Sequence, residues 1–345
     1  ALPAFAHSRN TRELWVMLVE KAYAKYHGSY SIVEGGHVHQ ALVDMTGGSA
    51  EFYNLTSADV QQDVESGVMW QRMVRYHQEQ HLMGAGSPPG LDTEVSRSGI
   101  VQGHAYAVLR CVEVKDHHGR HRLIKLRNPW GHGEWNGAWC DDDEENWTKR
   151  MRAKLAHPLM GNRKEMDDGI FWMSFEDFVQ NFTDIYVCRL FKTVSQGGKW
   201  HRYFARGEWS AAAGTACGST NNPGAEQNPQ FYIQAKSACS IFVSLSQAET
   251  EPELFPIGMY LLRKKGLRCK CRYSGETVAS AKYTVIREVT MEAEIKPEKD
   301  PLTLFVSTYA PKQEVEFIVT VYSTAPLVGT NGDRLRLIPA DVGSK

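Results

Sequence analysis

The chain has 345 residues, a length that predicts two domains rather than one. Hydrophobic residues make up 42% of it and charged residues 23%, so we expect ordinary hydrophobic cores and exclude a disordered chain. With 39 Lys and Arg residues against 40 Asp and Glu residues, the net charge is -1. This balance excludes a global attraction to nucleic acid or to anionic membranes and leaves only local patches for such partners.

The chain shows no run of the ~18 apolar residues that a membrane-spanning helix needs, and its first residues lack the order of a secretory signal. Its 7 cysteines are scattered without zinc-ligand spacing, which is typical of reduced thiols in the cytosol. Cys269 and Cys271 would share one face of a strand, yet two thiolates make a poor metal site. We therefore expect a soluble, cytoplasmic protein with no nucleic-acid partner, in which most thiols are buried and inert.

The chain opens with a predicted helix. Asn10 and Glu13 fit a capping box, and the residues after them carry an apolar stripe at helical spacing, so we expect this helix to pack on a core. The stripe consists of Leu14, Trp15, Leu18, Val19, Ala22 and Tyr23.

Two further helices and a loop are predicted before any strand. A short helix covers residues 39–45, and a longer one covers residues 58–80. The run from Met83 to Ser98 is rich in Gly and Pro, so we expect an exposed loop there.

Strands then dominate the pattern. Residues 105–114 and 122–127 flank a polar turn, which predicts an antiparallel hairpin. Further on, Ser174 fits the N-cap of a short helix with Asp177 at its third position. Short strands recur at regular spacing after the Ser-Gln-Gly-Gly segment at residues 195–198, which predicts a domain boundary there and an all-β sandwich beyond it.

Residues suited to catalysis stand at one end of the predicted hairpin. A Gly-His-Ala-Tyr motif with His104 opens its first strand, and an Arg-Asn-Pro-Trp-Gly motif with Asn128 and Trp130 follows its second. An imidazole held by an amide oxygen can deprotonate a thiol and later protonate a leaving amine, and an adjacent indole would shield their hydrogen bond from water. A neutral Asn suffices because thiolate and imidazolium already form an ion pair. Taken alone, however, a His at the start of a strand is more often structural.

The motifs around this pair resemble those of the calpain family of cysteine proteases. The resemblance extends over the first helix and through further segments, which are residues 14–30, 44–48, 134–139 and 169–175. The second half resembles the family's C2-like β-sandwich, notably at Trp209, 214–216 and 228–231. The resemblance therefore implies an α+β fold. A papain-like, barrel-type subdomain of antiparallel strands with flanking helices would occupy residues 1–194, and an all-β sandwich would occupy residues 195–345.

The resemblance also implies roles for the motif residues. His104 would be the general base and acid of the protease, Asn128 would orient its imidazole, and Trp130 would both shield the pair and block or clear the cleft. In calpains the nucleophilic Cys and the oxyanion-hole Gln lie in an upstream helical subdomain, in a Gly-Asp-Cys-Trp-like segment. No such segment occurs in this sequence, so we expect the chain alone to be inactive.

Two explanations of the missing nucleophile stay open. In the first, the chain is a piece of a calcium-dependent cysteine endopeptidase that acts on protein substrates, and a Cys-bearing subdomain precedes it. In the second, the natural protein is a non-catalytic calpain-like scaffold or regulator that binds partners or phospholipid. We favour the first because the chain starts at Ala1 rather than at Met, in what resembles the family's connecting segment.

Calpains hold a calcium ion in this subdomain, and Ca²⁺ takes about six to eight oxygen ligands. Glu134, Asp141 and Asp168 match ligand positions of the family, and the carbonyl of Met166 would add a further oxygen. Ile170 departs from the acidic residue expected at its position. The same carboxylates would equally fit a solvated acidic loop.

A basic hairpin is expected in the sandwich, after an acidic loop at residues 249–253. Its cations would suit phospholipid headgroups, which would make the protein peripherally membrane-associated, but they would equally suit the protease domain or solvent. The basic residues are Arg263, Lys264, Lys265, Arg268, Lys270 and Arg272.

Overall fold

The computed structural model describes residues 6, 8, 10, 12–117, 119–157, 167–248, 254–270 and 275–339. It confirms the predicted α+β class, because helices and an antiparallel sheet come first and a β-sandwich follows. The helices of the first part are α1 (Trp15–His27), α2 (Val38–Thr46), α3 (Ala58–Glu65), α4 (Val68–Gln78), α5 (Lys149–Leu155) and α6 (Phe175–Asn181). Its strands are β1 (Ser49–Asn54), β2 (Leu82–Gly86), β3 (Ala105–Lys115), β4 (Arg120–Arg127), β5 (Ile170–Ser174) and β6 (Asp184–Arg189).

The six strands of the first part form one sheet in the order β1-β6-β2-β3-β4-β5, with every neighbouring pair antiparallel. The predicted hairpin is β3 and β4, joined by a turn in which the amide of Asp116 donates to the carbonyl of Gly119. Helix α6 begins as expected, since the Ser174 hydroxyl accepts from the amide of Asp177. Helix α4 and the sheet enclose a core that includes Met73, Leu126 and Phe178.

The long helix predicted for residues 58–80 is two helices in the structure. Gly67 separates α3 from α4 and adopts a left-handed φ of 78°, which a helix interior does not tolerate. The break lets α4 bury Met69, Trp70 and Met73 while α3 buries only Val60. Helical spacing continues through the Ser-Gly pair in the sequence, so periodicity alone did not reveal the break.

The exposed loop predicted for residues 83–98 is wrong in its first part. Residues 82–86 form β2, an inner strand between β6 and β3, and the side chains of Met83 and Ala85 are buried. The two glycines of this strand match its tight surroundings, since a Cβ at Gly84 would lie 3.1 Å from Val38 Cγ1. Here glycine signals close packing against α2 rather than a turn.

The packing predicted for α1 is also different. The helix begins at Trp15, and its N-cap position is Leu14 without a side-chain cap, so Asn10 and Glu13 do not form the expected capping box. Its apolar stripe faces outward, with Trp15 62% and Leu18 65% exposed, and only Ala24 of this helix is buried. Within the described residues, no core covers this stripe.

The second part of the chain is a sandwich of two four-stranded antiparallel sheets, ordered β11-β10-β13-β8 and β12-β9-β14-β7. The sheets enclose one core, in which Trp209 packs on Phe317 at 4.5 Å between ring centroids. The strands are β7 (His201–Trp209), β8 (Gln230–Ile233), β9 (Cys239–Gln247), β10 (Pro256–Leu262), β11 (Thr277–Val285), β12 (Glu288–Ile295), β13 (Leu302–Thr308) and β14 (Val315–Ser323).

The two parts meet along β6 and β1 on one side and β12 and β9 on the other. Arg189 of β6 forms ion pairs with Glu51 of β1 and with Glu292 of β12, and its guanidinium lies 4.5 Å from the ring of Phe242. On β12, the Glu288 carboxylate accepts hydrogen bonds from the Ser49 hydroxyl (2.7 Å) and from a backbone amide of β1. A buried, charged seam therefore joins the sheet to the sandwich.

None of the helices in the described part of the chain combines the length and the apolar character needed to cross a membrane.

Candidate active site

His104 and Asn128 lie at the same end of the β3–β4 hairpin. His104 directly precedes β3, Asn128 directly follows β4, and the ladder between the strands pairs Ala107 with Arg127. Antiparallel pairing thus brings the start of one strand next to the end of the other, as the sequence predicts. The carbonyl of Gly169 holds the backbone of Asn128, because it accepts a hydrogen bond from the Asn128 amide at 2.7 Å.

The two side chains form a hydrogen bond of 2.9 Å between His104 Nε2 and Asn128 Oδ1. Asn128 is fully buried, and its Nδ2 donates to the carbonyl of Gly133 at 3.1 Å, which directs Oδ1 toward the imidazole. Since Oδ1 can only accept, His104 carries a proton on Nε2 and leaves Nδ1 as the basic nitrogen. This is the tautomer that a proton acceptor for a thiol requires.

Two aromatic rings contact the imidazole. The Trp130 ring is 4.5 Å from that of His104, and the Tyr106 ring meets it edge-on at 5.1 Å. The amide of Trp130 also donates to Asn128 Oδ1 at 3.1 Å. Trp130 is nevertheless 44% exposed, so its ring contacts the imidazole while part of its surface is open to solvent, and its shielding of the His–Asn hydrogen bond stays a prediction.

The described cysteines are buried or have raised pKa values, and Cys239 and Cys269 belong to the buried ones. A reactive thiol needs a depressed pKa, and burial raises the pKa of Cys111, to about 12, as well as that of Cys188. The half-buried Cys140 and Cys217 also have raised pKa values, because burial and neighbouring carboxylates disfavour the thiolate. Cys271 lies outside the described residues.

Three candidate calcium ligands, Glu134, Asp141 and Asp168, influence one another electrostatically. Burial, followed by the charge of Asp141, raises the pKa of Glu134 to about 7, and burial, followed by the charge of Asp168, raises that of Asp141 to about 6. Asp141 Oδ1 is buried without a hydrogen bond, and His157 Nε2 lies 3.8 Å away. Burial and the charges of Arg152 and Lys125 lower the pKa of His157 to about 4, so this imidazole does not supply a positive charge at neutral pH. Excess negative charge and an unpaired buried oxygen are what a cation would relieve.

The fit to a cation is incomplete in the described residues. One oxygen of Glu134 accepts from the amide of Gly169 and one of Asp168 accepts from the amide of Ile170. Among the residues that the structure describes, no three His, Cys, Asp or Glu side chains converge as a metal site would require. Met166 lies outside the described residues. The acidic cluster has the charge for calcium but not a preassembled set of ligands.

Part of the predicted basic patch is used within the sandwich. Arg268 donates to three backbone carbonyls, including that of Asn228 at 2.7 Å, and Lys264 forms an ion pair with Glu276. Lys265 and Lys270 are exposed, and Leu267 between them is 68% exposed. Arg263 is exposed as well and pairs with Glu298. Arg272 and the acidic loop at residues 249–253 lie outside the described residues.

The sequence did not reveal the residues that hold His104 and Asn128 in place. Ser87, which is buried, bonds the backbone of His104, and the carbonyls of Gly133 and Gly169 hold Asn128. Backbone acceptors leave no trace in a sequence. For Ser87 the sequence carried only a weak indication of a special position, since this residue stands between the Gly-Ala-Gly segment of β2 and two prolines.

A hydrogen-bonded His and Asn at one end of an antiparallel sheet match the arrangement that the sequence predicts for a papain-like cysteine protease, and the β-sandwich that follows matches the predicted second domain. Comparison with known proteins agrees: a calpain family cysteine protease model matches residues 2–189, and a model of domain III of the calpain large subunit matches residues 205–322. The chain belongs to the calpain family of cysteine proteases.

Similar proteins occur in plants and animals. The chain is 40% identical over 94% of its length to the calpain-type cysteine protease DEK1 of Arabidopsis thaliana and 38% identical, over the same share, to ADL1 of Oryza sativa subsp. japonica. It is 32% identical over 96% of its length to calpain-5 of Mus musculus. It spans 15% of each of these plant relatives and 55% of calpain-5.

Proposed function

We propose that this chain supplies the general base, His104, and its orienting partner, Asn128, to a calpain-type endopeptidase whose nucleophilic Cys belongs to another part of the protein. The observation that carries the proposal is the 2.9 Å bond from His104 Nε2 to Asn128 Oδ1, with Oδ1 directed by the carbonyl of Gly133. Family membership supports protein substrates.

The geometry supports a two-stage proton transfer. His104 Nδ1 would accept the proton of the attacking thiol. The resulting imidazolium would keep its proton on Nε2 and continue to donate it in the hydrogen bond to Asn128 Oδ1. When the acyl-enzyme forms, the peptide C–N bond breaks and Nδ1 would return the proton to the leaving amine. In the second stage Nδ1 would take a proton from the attacking water, whose oxygen bonds to the acyl carbon as the thioester C–S bond breaks, so that the thiolate and the imidazolium are regenerated. Asn128 stays neutral throughout and keeps the ring in one orientation.

The apolar face of α1 supports a partner that carries the nucleophile. Leu14, Trp15, Leu18 and Val19 are between 43% and 65% exposed, whereas isolated soluble domains seldom expose so many large apolar residues together. A Cys-bearing subdomain in another part of the protein would pack on this apolar face of α1. Helix α1 would then join that subdomain to the one that carries His104.

Labelling with an active-site-directed epoxide tests the proposal. We expect no selective modification in this chain, because its described thiols are buried or have raised pKa values, and modification of one additional cysteine in the natural full-length polypeptide. Selective labelling of one of the chain's own cysteines would contradict the assignment. A folded full-length protein that is not labelled would favour a non-catalytic scaffold.

We also propose that calcium binds at Glu134, Asp141 and Asp168, with the carbonyl of Met166 as a further ligand. The proposal rests on the crowded carboxylates and the unpaired Oδ1 of Asp141. Calcium would neutralise the charge of these carboxylates and draw the segment that carries Asp141 toward Asp168. It would supply no group to the proton transfers at His104.

Calorimetric titration with CaCl₂ checks the calcium site. Asp141→Asn and Asp168→Ala should each weaken binding by at least about tenfold, since even outer partners of metal sites contribute that much. Glu145→Gln, at an exposed position of the same acidic run, is the control and should bind as the wild type does. Equal affinities for all four proteins would show that calcium binds elsewhere, and absence of binding would leave a solvated acidic loop.

A second candidate function is attachment to anionic phospholipid through the sandwich. Leu267 is 68% exposed between Lys265 and Lys270, a combination suited to a membrane surface. With Lys264 and Arg268 engaged inside the sandwich, the patch is smaller than the sequence predicts. A cytosolic protein would then bind membranes peripherally. Cosedimentation with phosphatidylserine vesicles should fall steeply from low to high salt, and salt-insensitive binding would contradict this idea.

A further inference from the structure

Ser87 and His104 face each other where the β2–β3 ladder ends. Gly86 pairs with Ala105 in the ladder, and Ser87 and His104 are the next residues on each strand. The Ser87 amide donates to the His104 carbonyl at 3.0 Å, as a ladder requires. The reverse bond differs, because the His104 amide donates to the Ser87 hydroxyl oxygen at 2.9 Å rather than to a carbonyl.

The hydroxyl takes the place of a backbone acceptor that has turned away. The carbonyl of Ser87 accepts from the Thr183 hydroxyl at 3.3 Å, and the chain then leaves the sheet through Pro88. The carbonyl of Pro88 takes the amide of Gly103 at 2.8 Å. The Ser87 hydroxyl also donates to the carbonyl of His104 at 3.0 Å, so one side chain bonds both backbone polar groups of the same residue.

His104 needs this support because it has little other backbone pairing at this position. It follows Gly103, which adopts a φ of 57° where a Cβ would lie only 2.2 Å from the carbonyl oxygen of Gly90. The preceding backbone is therefore a turn rather than a continuing strand. Without an acceptor from Ser87, the amide of His104 would lose its partner within a half-buried environment, a loss that costs more than an average hydrogen bond gains.

We propose that Ser87 is a positioning residue, whose hydroxyl holds the backbone of His104 so that Nε2 reaches Asn128 and Nδ1 is left as the proton acceptor. The catalytic purpose rests on the proposed function, but the positioning is a property of this chain alone. The hydroxyl of Ser87 bonds the backbone of His104 rather than its ring nitrogens, so its effect on the proton transfer is indirect.

Three variants separate the hydroxyl from the shape of the side chain. Ser87→Thr keeps the hydroxyl, Ser87→Val has the shape of Thr without it, and Ser87→Ala removes it with the least added bulk. Ser98→Ala is the control, because the hydroxyl of Ser98 bonds Asn181 at 2.9 Å and not His104. We would follow amide hydrogen exchange at His104 and the ¹⁵N shifts of its ring nitrogens, which report the tautomer.

In Ser87→Val and Ser87→Ala the His104 amide should exchange about tenfold faster than in the wild type, which corresponds to one lost hydrogen bond. Exchange at Val108, further along β3, should be unchanged. The ring nitrogens should lose part of their Nε2-protonated character. Ser87→Thr and Ser98→Ala should match the wild type in both measurements.

Equal behaviour of the Thr and Val variants would overturn the proposal, since only the hydroxyl distinguishes them. Unfolding of both hydroxyl-free variants, with a folded Thr variant, would also overturn it by making Ser87 a residue of the fold as a whole. In the natural full-length polypeptide, Ser87→Val should lower kcat about tenfold with KM within about twofold, while Ser87→Thr restores it. If the exchange and tautomer effects appear without any peptidase activity in the wild type, the proposed function fails and the positioning stands.

Discussion

Replacing His104 by alanine in the natural full-length polypeptide should reduce kcat for peptide hydrolysis by about 10³-fold or more. General acid–base catalysis by a positioned side chain typically contributes ~10²–10⁴-fold, and here one imidazole would serve the thiol, the leaving amine and the water. KM should change little, because the ring would contribute to proton transfer rather than to substrate binding. Steady-state hydrolysis of a fluorogenic peptide over several substrate concentrations measures both constants.

His132→Ala is the matched control for this experiment. His132 is exposed, its ring lies 5.9 Å from that of Trp130, and its side chain makes no described contact with Asn128. It should retain activity within about twofold of the wild type, as surface substitutions usually do. Comparable losses in the two variants, or an undiminished His104→Ala enzyme, would contradict the assignment of the general base.

Replacing Arg189 by methionine should destabilise the protein by about 3–5 kcal/mol. The Arg189 side chain is only 5% exposed and lies between Glu51 on β1 and Glu292 on β12. Methionine preserves much of the apolar contact with Phe242 but leaves the buried Glu51 carboxylate without its cation. Removal of one member of a buried ion pair usually costs this much, because the remaining charge keeps its desolvation penalty.

Urea unfolding followed by tryptophan fluorescence and by far-UV circular dichroism would measure this loss. The control is Arg120→Ala, whose ion pair with Glu113 at 3.0 Å is exposed and should be worth less than about 1 kcal/mol. Because Arg189 bridges the sheet and the sandwich, its loss should also separate the unfolding of the two parts into distinct transitions. A single transition with a wild-type midpoint would show that the seam does not depend on this cation.

The ion pair between Arg189 and Glu51 should also make the stability of the protein depend on pH in the acid range. Burial would raise the pKa of Glu51, but the charge of Arg189 and hydrogen bonds from the hydroxyls of Tyr53 and Tyr76 outweigh burial and hold the pKa below its ordinary value of 4.5. A carboxylate with a depressed pKa stabilises the fold fully above that ordinary value, and the contribution is lost as pH falls below it. The wild type should therefore lose more stability on acidification below pH 4.5 than Arg189→Met does.

Local sequence was sufficient for features that depend on short-range geometry. The β3–β4 hairpin follows from alternating residues around a polar turn, and the helix after Ser174 follows from its cap. Because hairpin strands are antiparallel, the placement of His104 beside Asn128 could be predicted before any coordinates. The recurring strands of the second half likewise predicted the sandwich.

Contacts between distant segments decided the remainder. The stripe on α1 has the spacing of a core helix, but whether such a face is covered depends on elements that helical periodicity does not describe. Strand β2 has the glycines of a loop because α2 presses against it, and Ser87 supports His104 only because the sheet places them opposite each other. Arg189 finds its carboxylates on strands more than a hundred residues apart along the chain. The sequence by itself thus determined the pairing of His104 with Asn128 and the class of fold, since both are encoded locally. Only the tertiary structure decided what holds that pair in place and which surface is left uncovered, because backbone acceptors and packing partners are brought together by the fold.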